Sequence, residues 1–249
     1  ALGTTLVPDL GTSGYGIPLN RSWYRQSVSH NVVVVDRHSQ RPTSGRCLSF
    51  KGEGPIKWII AKCDTAYPTV DWTRSVCFAP GKIIILDRLV SKSSHTFDWI
   101  FHTYASLVIP VGSDLLFKKT ALIRKNGYQH FRNVRAAERE GFISIRFSFG
   151  NRGELILSEA GAQKTQIILA EAPGNPATES LSSLILRRTG KEATFAVAIE
   201  LLKPGHAPKI RSISVNRVTD KTVLRIRTHN TWESYFFTKE KVIGGNNEK

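Results

Sequence analysis

"GFISIRFSFG", residues 141–150, alternates strictly: Ile143, Ile145, Phe147 and Phe149 fall on one side of an extended chain, Ser144, Arg146 and Ser148 on the other. That period of two is the signature of a β-strand with one face against a core. The same reading applies to "TVLRIRTH" (222–229), where Leu224 and Ile226 oppose Arg225 and Arg227. Outward from these, the pattern predicts strands at "NVVVVD" (31–36), "IKWIIAKC" (56–63), "DWTRSVCF" (71–78), "KIIILDRLV" (82–90) and "HTFDWIFHTY" (95–104). It continues through "ELILSE" (154–159), "TQIILAE" (165–171), 183–188, "ATFAVAIEL" (193–201), "KIRSISV" (209–215) and "WESYFF" (232–237). Turn-forming clusters such as "APGK", "GNRGE", "APGNP", "RTGKE" and "KPGHAP" separate them. Many short strands joined by tight turns predict an all-β fold, a large antiparallel multi-stranded β-sandwich. "NVVVVD" and "KIIILD" are apolar on both faces, so both are expected to be central strands covered on each side. No stretch offers a helical face of three turns, and no repeat or low-complexity linker divides the chain. One domain over residues 1–243 is therefore expected, with "GGNNEK" (244–249) as a frayed tail.

The 249 residues carry a formal net charge of +15. A surface this basic attracts polyanions, whether acidic polysaccharide, nucleic acid or an anionic membrane. The lysines and arginines are scattered along strands, and no recognition helix, zinc-finger spacing or ribonucleoprotein motif organises them, which argues against nucleic acid. No apolar run reaches the roughly 18–20 residues that would span a bilayer as a helix, and no membrane partner is expected. Ala1–Val7 is too short and uncharged to be a complete signal peptide. Cys47, Cys63 and Cys77 are odd in number and lack a CxxC, so no disulfide framework is implied; Cys63 and Cys77 sit in strand-like runs, where buried thiols are expected.

Residues 6–40 hold the candidate chemistry. Asp9 precedes the loop "LGTSGYG", and His30 precedes the valine run. Spaced 21 residues apart, they read by themselves as a turn-capping aspartate with a core histidine sooner than as two metal ligands. Tyr24 and Arg25 are candidates to contact an anionic ligand, or else loop-packing residues; His102, alternating with Ile100 and Tyr104, is a groove or a core histidine. Asn31 and Gln40 are expected to satisfy loop backbone groups. His38, His95, His130, His206 and His229 show no distinguishing spacing. There is no Gly-x-Ser-x-Gly, no cysteine beside a histidine and no phosphate-cradling glycine loop.

The stretch "PDLGTSGYG…WYRQSVSHNVVVVDRHSQ" resembles the conserved block of the heparinase II/III-like polysaccharide lyases, which include heparin, heparan sulfate and alginate lyases. The resemblance rests on Asp9, Gly11, Thr12, Tyr15, Gly16, Tyr24, Arg25, Ser29, His30, Asn31, Val33, Val35, Asp36 and Gln40. Val32 stands where the family usually has threonine, and Arg37 where it has glycine. "RSVCFAPGKIIILDRL" and "HTFDWIFHTY" are similar to the family's following strands. The resemblance implies the C-terminal β-sandwich of an α/α toroid plus β-sandwich lyase, with substrate in the cleft between the two. It implies Asp9 and His30 as zinc ligands, the third being a histidine upstream of Ala1, in a structural site. It further implies β-elimination on a uronic-acid-containing acidic polysaccharide, with the main catalytic groups on the toroid, absent here, and none among these residues. This chain alone is expected to be inactive, and a periplasmic or secreted location follows. The alternative is a non-catalytic basic β-sandwich module binding acidic glycans.

Overall fold

The computed structural model describes residues 3–14, 16–111, 115–229 and 231–248. Twelve strands form one antiparallel sheet. They are β1 (Val33–Val35), β2 (Arg46–Lys51), β3 (Lys57–Cys63), β4 (Val70–Ala79), β5 (Lys82–Thr103) and β6 (Leu107–Pro110). After these come β7 (Lys118–Lys119), β8 (Arg132–Arg139), β9 (Ile143–Ser148), β10 (Glu154–Glu159), β11 (Thr165–Pro173) and β12 (Ser180–Leu202). A second sheet of four strands contains β13 (Ser212–Val218), β14 (Lys221–Arg227), β15 (Trp232–Phe237) and β16 (Val242–Glu248).

The sandwich is built on a ribbon. β5 and β12, of 22 and 23 residues, pair along nearly their whole length, from Ile83↔Ile199 to Thr103↔Ser182. A register shift between Gly190 and Glu192 interrupts the pairing midway, where a bulge bends and twists a ladder. On one side of it, β4 and β10 flank the ribbon and extend it to β2, β3, β9 and β6. On the other side, β1 and β11 flank it, and β11 carries β8 and β7. The two halves fold over a shared core in which Leu89, Phe195, Val197 and Leu157 of the first half meet Phe97, Trp99, Leu169 and Leu186 of the second.

Alternate residues on each half face outward and are covered in turn. Ile84, Leu86, Ala196 and Ala198 pack under the four-stranded sheet through Ile213, Leu224, Ile226, Tyr235 and Phe237. Val34, Ile100, Ile168 and Ile185 pack under the N-terminal segment through Leu10, Trp23, Tyr24 and Val28, joined by Tyr128 and Phe131. Each large apolar side chain taken fully out of water contributes about 1.5–3 kcal/mol.

Among the described residues three carboxylates are wholly buried in this framework, each against an arginine. Asp87 accepts hydrogen bonds from Trp72 Nε1 (2.7 Å), Trp99 Nε1 (2.9 Å) and Arg74 Nε and Nη2 (2.8 and 2.9 Å). Asp98 accepts two from Arg187 (2.7 and 2.8 Å) and one from the Tyr128 hydroxyl (2.5 Å). Glu159 accepts two from Arg188 Nη2, at 3.0 and 2.9 Å, and one from the Gly161 amide at 2.8 Å.

Several expectations are corrected. "KIIILDRLV" and "HTFDWIFHTY" are one strand, as are 183–188 and 193–201. β1 is covered on both faces but pairs with β5 alone, so it is an edge and not a central strand. Residues 244–248 of the expected tail are paired: Val242–Glu248 pairs with β15 from Phe237↔Val242 to Trp232↔Glu248, and Lys249 lies outside the described residues. Gly244 makes this possible, since a Cβ there would lie 2.6 Å from the Ser234 carbonyl oxygen at the register shift. The thiols divide, Cys77 being buried, Cys63 partly so and Cys47 exposed; burial raises the Cys77 pKa to about 11.

Replacing Asp87 with alanine strands four donors in the core. Chemical denaturation of Asp87→Ala is expected to show a loss of about 3–5 kcal/mol, the range for breaking a buried ion pair on one side.

Candidate functional site

The N-terminal segment reaches its position through polar ties to the sheet. Asn31 donates from Nδ2 to the Pro8 carbonyl (2.9 Å) and accepts the His102 amide at Oδ1 (2.7 Å). Leu6 O accepts from Thr103 Oγ1 at 2.7 Å. A helical turn, Asn20–Tyr24, buries Trp23 and Tyr24. Trp23 Nε1 donates to Pro173 O (3.0 Å) and Tyr24 Oη to Gly174 O (2.7 Å), which pins the turn to the end of β11. Ser27–Ser29 form a tighter turn that ends at His30.

These ties bring Asp9 and His30 together, with His30 Nδ1 3.0 Å from Asp9 Oδ1. The same carboxylate oxygen accepts the Gly11 amide at 2.9 Å, with Gly11 at φ 58°, a left-handed conformation that suits glycine. The Gly11 amide, and after it the His30 charge and hydrogen bond, hold the Asp9 carboxyl below its ordinary pKa against partial burial. His30 Nε2 lies 3.0 Å from the Tyr24 carbonyl oxygen. A carbonyl can only accept, so Nε2 carries a proton. Nδ1 then faces the carboxylate either as an imidazolium N–H or as a lone pair. The second state places two donor atoms side by side, the arrangement a cation satisfies, with the ring oriented by a backbone carbonyl as in histidine metal ligands. Asp9 and His30 therefore fit a zinc ion as two ligands. Among the described residues, no third His, Cys, Asp or Glu joins them.

A cavity of about 650 Å³ opens beside Asp9, lined by Thr4, Thr5, Pro8, Leu10, Tyr104, Ser106, Phe149, Arg152, Asn175 and Glu179. Asn175 shapes its wall by donating from Nδ2 to Leu10 O (2.8 Å), and the Tyr104 hydroxyl lies 3.3 Å from both Asn175 N and O. Sequence reading missed this wall because Arg152, Asn175 and Glu179 meet the N-terminal segment only through pairing of distant strands.

Two candidate ligand contacts do not line that groove and take the other reading open to them, packing for Tyr24 and the core for His102. Tyr24 is buried with its hydroxyl spent on Gly174, and burial, then the nearby Tyr104, raise its pKa. His102 is wholly buried: Nε2 donates to Val28 O and Nδ1 accepts from Ser183 Oγ, both at 2.8 Å. Burial depresses its pKa to about 4. Arg25 is exposed, and its guanidinium has no partner among the described residues. Asn31 satisfies backbone groups as expected; the Gln40 side chain does not among the described residues, and it is the Gln40 backbone N–H that donates, to Ser27 Oγ at 2.9 Å. Tyr15 lies outside the described residues.

His95, undistinguished in sequence, meets Asp36 at 2.6 Å through Nδ1, while Nε2 lies 3.2 Å from both Thr69 Oγ1 and Ser91 Oγ. Burial works against the Asp36 charge, but the hydrogen bonds from His95 and the Thr96 amide outweigh it and lower the pKa. Asp36 and Arg37 form a two-residue turn with φ 50° and 60°, closed by Val35↔His38. Turns of this kind prefer glycine at the second position, so Arg37 in the family's usual glycine position carries backbone strain.

The model of the family described as heparinase II/III-like, C-terminal, matches residues 2–226. The chain belongs to that family. An alginate lyase of Stenotrophomonas maltophilia (strain K279a) is 26% identical over 278 aligned residues, covering 90% of this chain and 36% of that protein. The heparan sulfate lyase HepC of Pedobacter heparinus shares the fold with a TM-score of 0.68 at 16% identity, over 96% of this chain and 35% of HepC. A heparinase III structure superposes with a TM-score of 0.67 at 13% identity, over 95% of this chain and 34% of its own. The chain thus spans about a third of the length of these relatives.

His102 makes a pH prediction for this family member. Its folded pKa, about 4, lies below the unfolded value of about 6.5, so the unfolded chain binds the extra proton between them. Stability from His102 is full above pH ~6.5 and falls by on the order of 3 kcal/mol as the pH drops toward ~4. Denaturation midpoints measured across that window are expected to flatten in His102→Gln.

Proposed function

We propose that this chain is the β-domain of a polysaccharide lyase that cleaves a uronic-acid-containing acidic polysaccharide by β-elimination. The observation that carries the reading is the contact between Asp9 and His30 at 3.0 Å in a member of this family. The alginate and heparan sulfate lyases it resembles support the substrate class, and the net charge of +15 suits a polyanion.

In the proposed reaction a base removes the proton on C5, alpha to the uronate carboxylate. The bond from C4 to the glycosidic oxygen breaks, that oxygen leaves with a proton from an acid, and a C4–C5 double bond remains in the unsaturated sugar. The C5 proton is weakly acidic, so the enzyme must blunt the carboxylate's charge while a proton is relayed. Those groups belong to an N-terminal α/α toroid of the parent protein, and this chain alone does not turn over substrate. Its own part is a wall of the cleft. Arg25 offers an exposed guanidinium to an anionic sugar, and the cavity beside Asp9 offers a polar surface. Asp9 and His30 hold zinc together with an upstream histidine; zinc there would tie the loop to the sheet. A periplasmic or secreted location accompanies this reading.

Absorbance of the unsaturated uronate, followed with alginate and with heparan sulfate, tests the division of labour. The parent protein is expected to act on one of them and this chain on neither; robust turnover by this chain alone overturns the proposal. Arg25→Ala in the parent is expected to raise KM by about tenfold, the loss of one charge-assisted contact. Elemental analysis is expected to find about one equivalent of zinc in the parent, lost in Asp9→Ala and His30→Ala.

A further inference from the structure

Ile84, Leu86 and Arg88 stand in one row on the face of β5 that the four-stranded sheet covers. The first two are core residues. Ile84 lies between Cys77 and Ala198, and Leu86 between Ser75 and Ala196. One step further, where the row leads out of the apolar core, Arg88 lies between Thr73 and Thr194. From the opposite sheet comes Arg217, paired across the ladder with Thr222. Two cavities, of about 220 and 140 Å³, open between the sheets here, and Arg88, Arg217 and Thr222 line both.

Neither arginine has a carboxylate partner among the described residues. Arg88 is half-buried and makes no hydrogen bond there; Arg217 donates only from Nε, to the Thr219 carbonyl at 3.3 Å. The acids nearby, Glu192 in one cavity and Asp220 in the other, form no ion pair with them, and Lys239 adds a further positive charge. The hydroxyls of Thr73, Thr194 and Thr222 are likewise without partners among the described residues. Burial first, and then the Arg217 charge, lower the Arg88 pKa, with Glu192 and Asp71 offsetting this only in part; the two guanidinium groups repel one another. Like charge beside an apolar core, only partly offset by nearby acids, is unfavourable, and an oxyanion between the two converts it into attraction. Guanidinium is the side chain best shaped for such a ligand, offering paired N–H donors to two oxygens at once.

We propose that the crevice between β5 and the four-stranded sheet, built on Arg88 and Arg217, binds an oxyanion: a sulfate, or the carboxylate of an acidic sugar. It lies against the four-stranded sheet, whereas Asp9 and His30 belong to the segment covering the opposite outer face. It is therefore separate from the Asp9–His30 site and does not rest on the lyase reading.

Titration calorimetry and thermal unfolding of the 249-residue chain test it, with sodium sulfate against sodium chloride at matched ionic strength, and glucuronate against glucose. Wild type is expected to bind sulfate or glucuronate with saturation and to gain melting temperature. Arg88→Leu and Arg217→Gln are each expected to weaken binding at least about tenfold. Sulfate also stabilises proteins generally by exclusion from their surfaces, and that part alone should survive in the variants. Without anion, Arg88→Leu is expected to melt at or above wild type, because it extends the Ile84–Leu86 row and removes the repulsion. Should Arg88→Leu fail to fold, Arg217→Gln, exposed on the outer sheet, carries the comparison. Saturable glucuronate binding with glucose inert supports a sugar carboxylate as ligand; sulfate binding alone supports a sulfate group. Equal responses in wild type and Arg217→Gln, or none beyond the chloride control, overturn the proposal.

Discussion

A carboxylate sealed from water is tolerable only if its oxygens are fully engaged, and Asp87 meets that condition with four donors from three side chains. Trp72 and Arg74 reach it from β4, beside it in the first half of the sandwich. Trp99 reaches it from the other half, twelve residues further along the same strand. The carboxylate thereby fixes how closely and at what angle the two layers meet. Arg74 carries the constraint outward, since its Nη1 donates to the Asn31 carbonyl at 2.8 Å. Asn31 in turn holds Pro8, next to Asp9. The pairing of Asp9 with His30 is thus set from the core, through hydrogen bonds, and not by the loop alone.

The strand content was largely legible, because half-buried antiparallel strands write their pleat into the chain. "ELILSE" and "WESYFF" coincide with β10 and β15. What was not legible follows from exposure. β2 has little burial on either face and β8 buries only Val134 and Ala137, so neither shows strong alternation. The continuity of β5 through "SKSSH" was hidden for the same reason: the polar middle of the ribbon looks like a loop until its partner strand is known. β16 was hidden by glycine and asparagine, which suit a loop by propensity but here pair along β15.

The site was legible in a different way. Spacing alone left Asp9 and His30 open between a cap, a core residue and a ligand pair; the motif around them made the ligand reading specific. In sequence Tyr24 is open between ligand contact and packing, and only the fold decides it: its ring closes the core while its hydroxyl meets a backbone carbonyl. Arg88 and Arg217, or Asp36 and His95, lie far apart in sequence and carry no motif. Only strand pairing and sheet packing bring them together, so they emerge at the level of the fold.

The unbroken passage of β5 and β12 through both layers has a consequence for how the chain reaches its native state. Their ladder joins residues from Ile83 with Ile199 to Thr103 with Ser182, so the central pairing closes loops of many tens of residues before any flanking strand has both neighbours. Chains dominated by such distant contacts fold slowly, on the order of milliseconds to seconds. The two strands run on from one layer into the other, so the layers are expected to open together, and amide exchange in the buried, paired stretches on either side of the bulge should report the global opening.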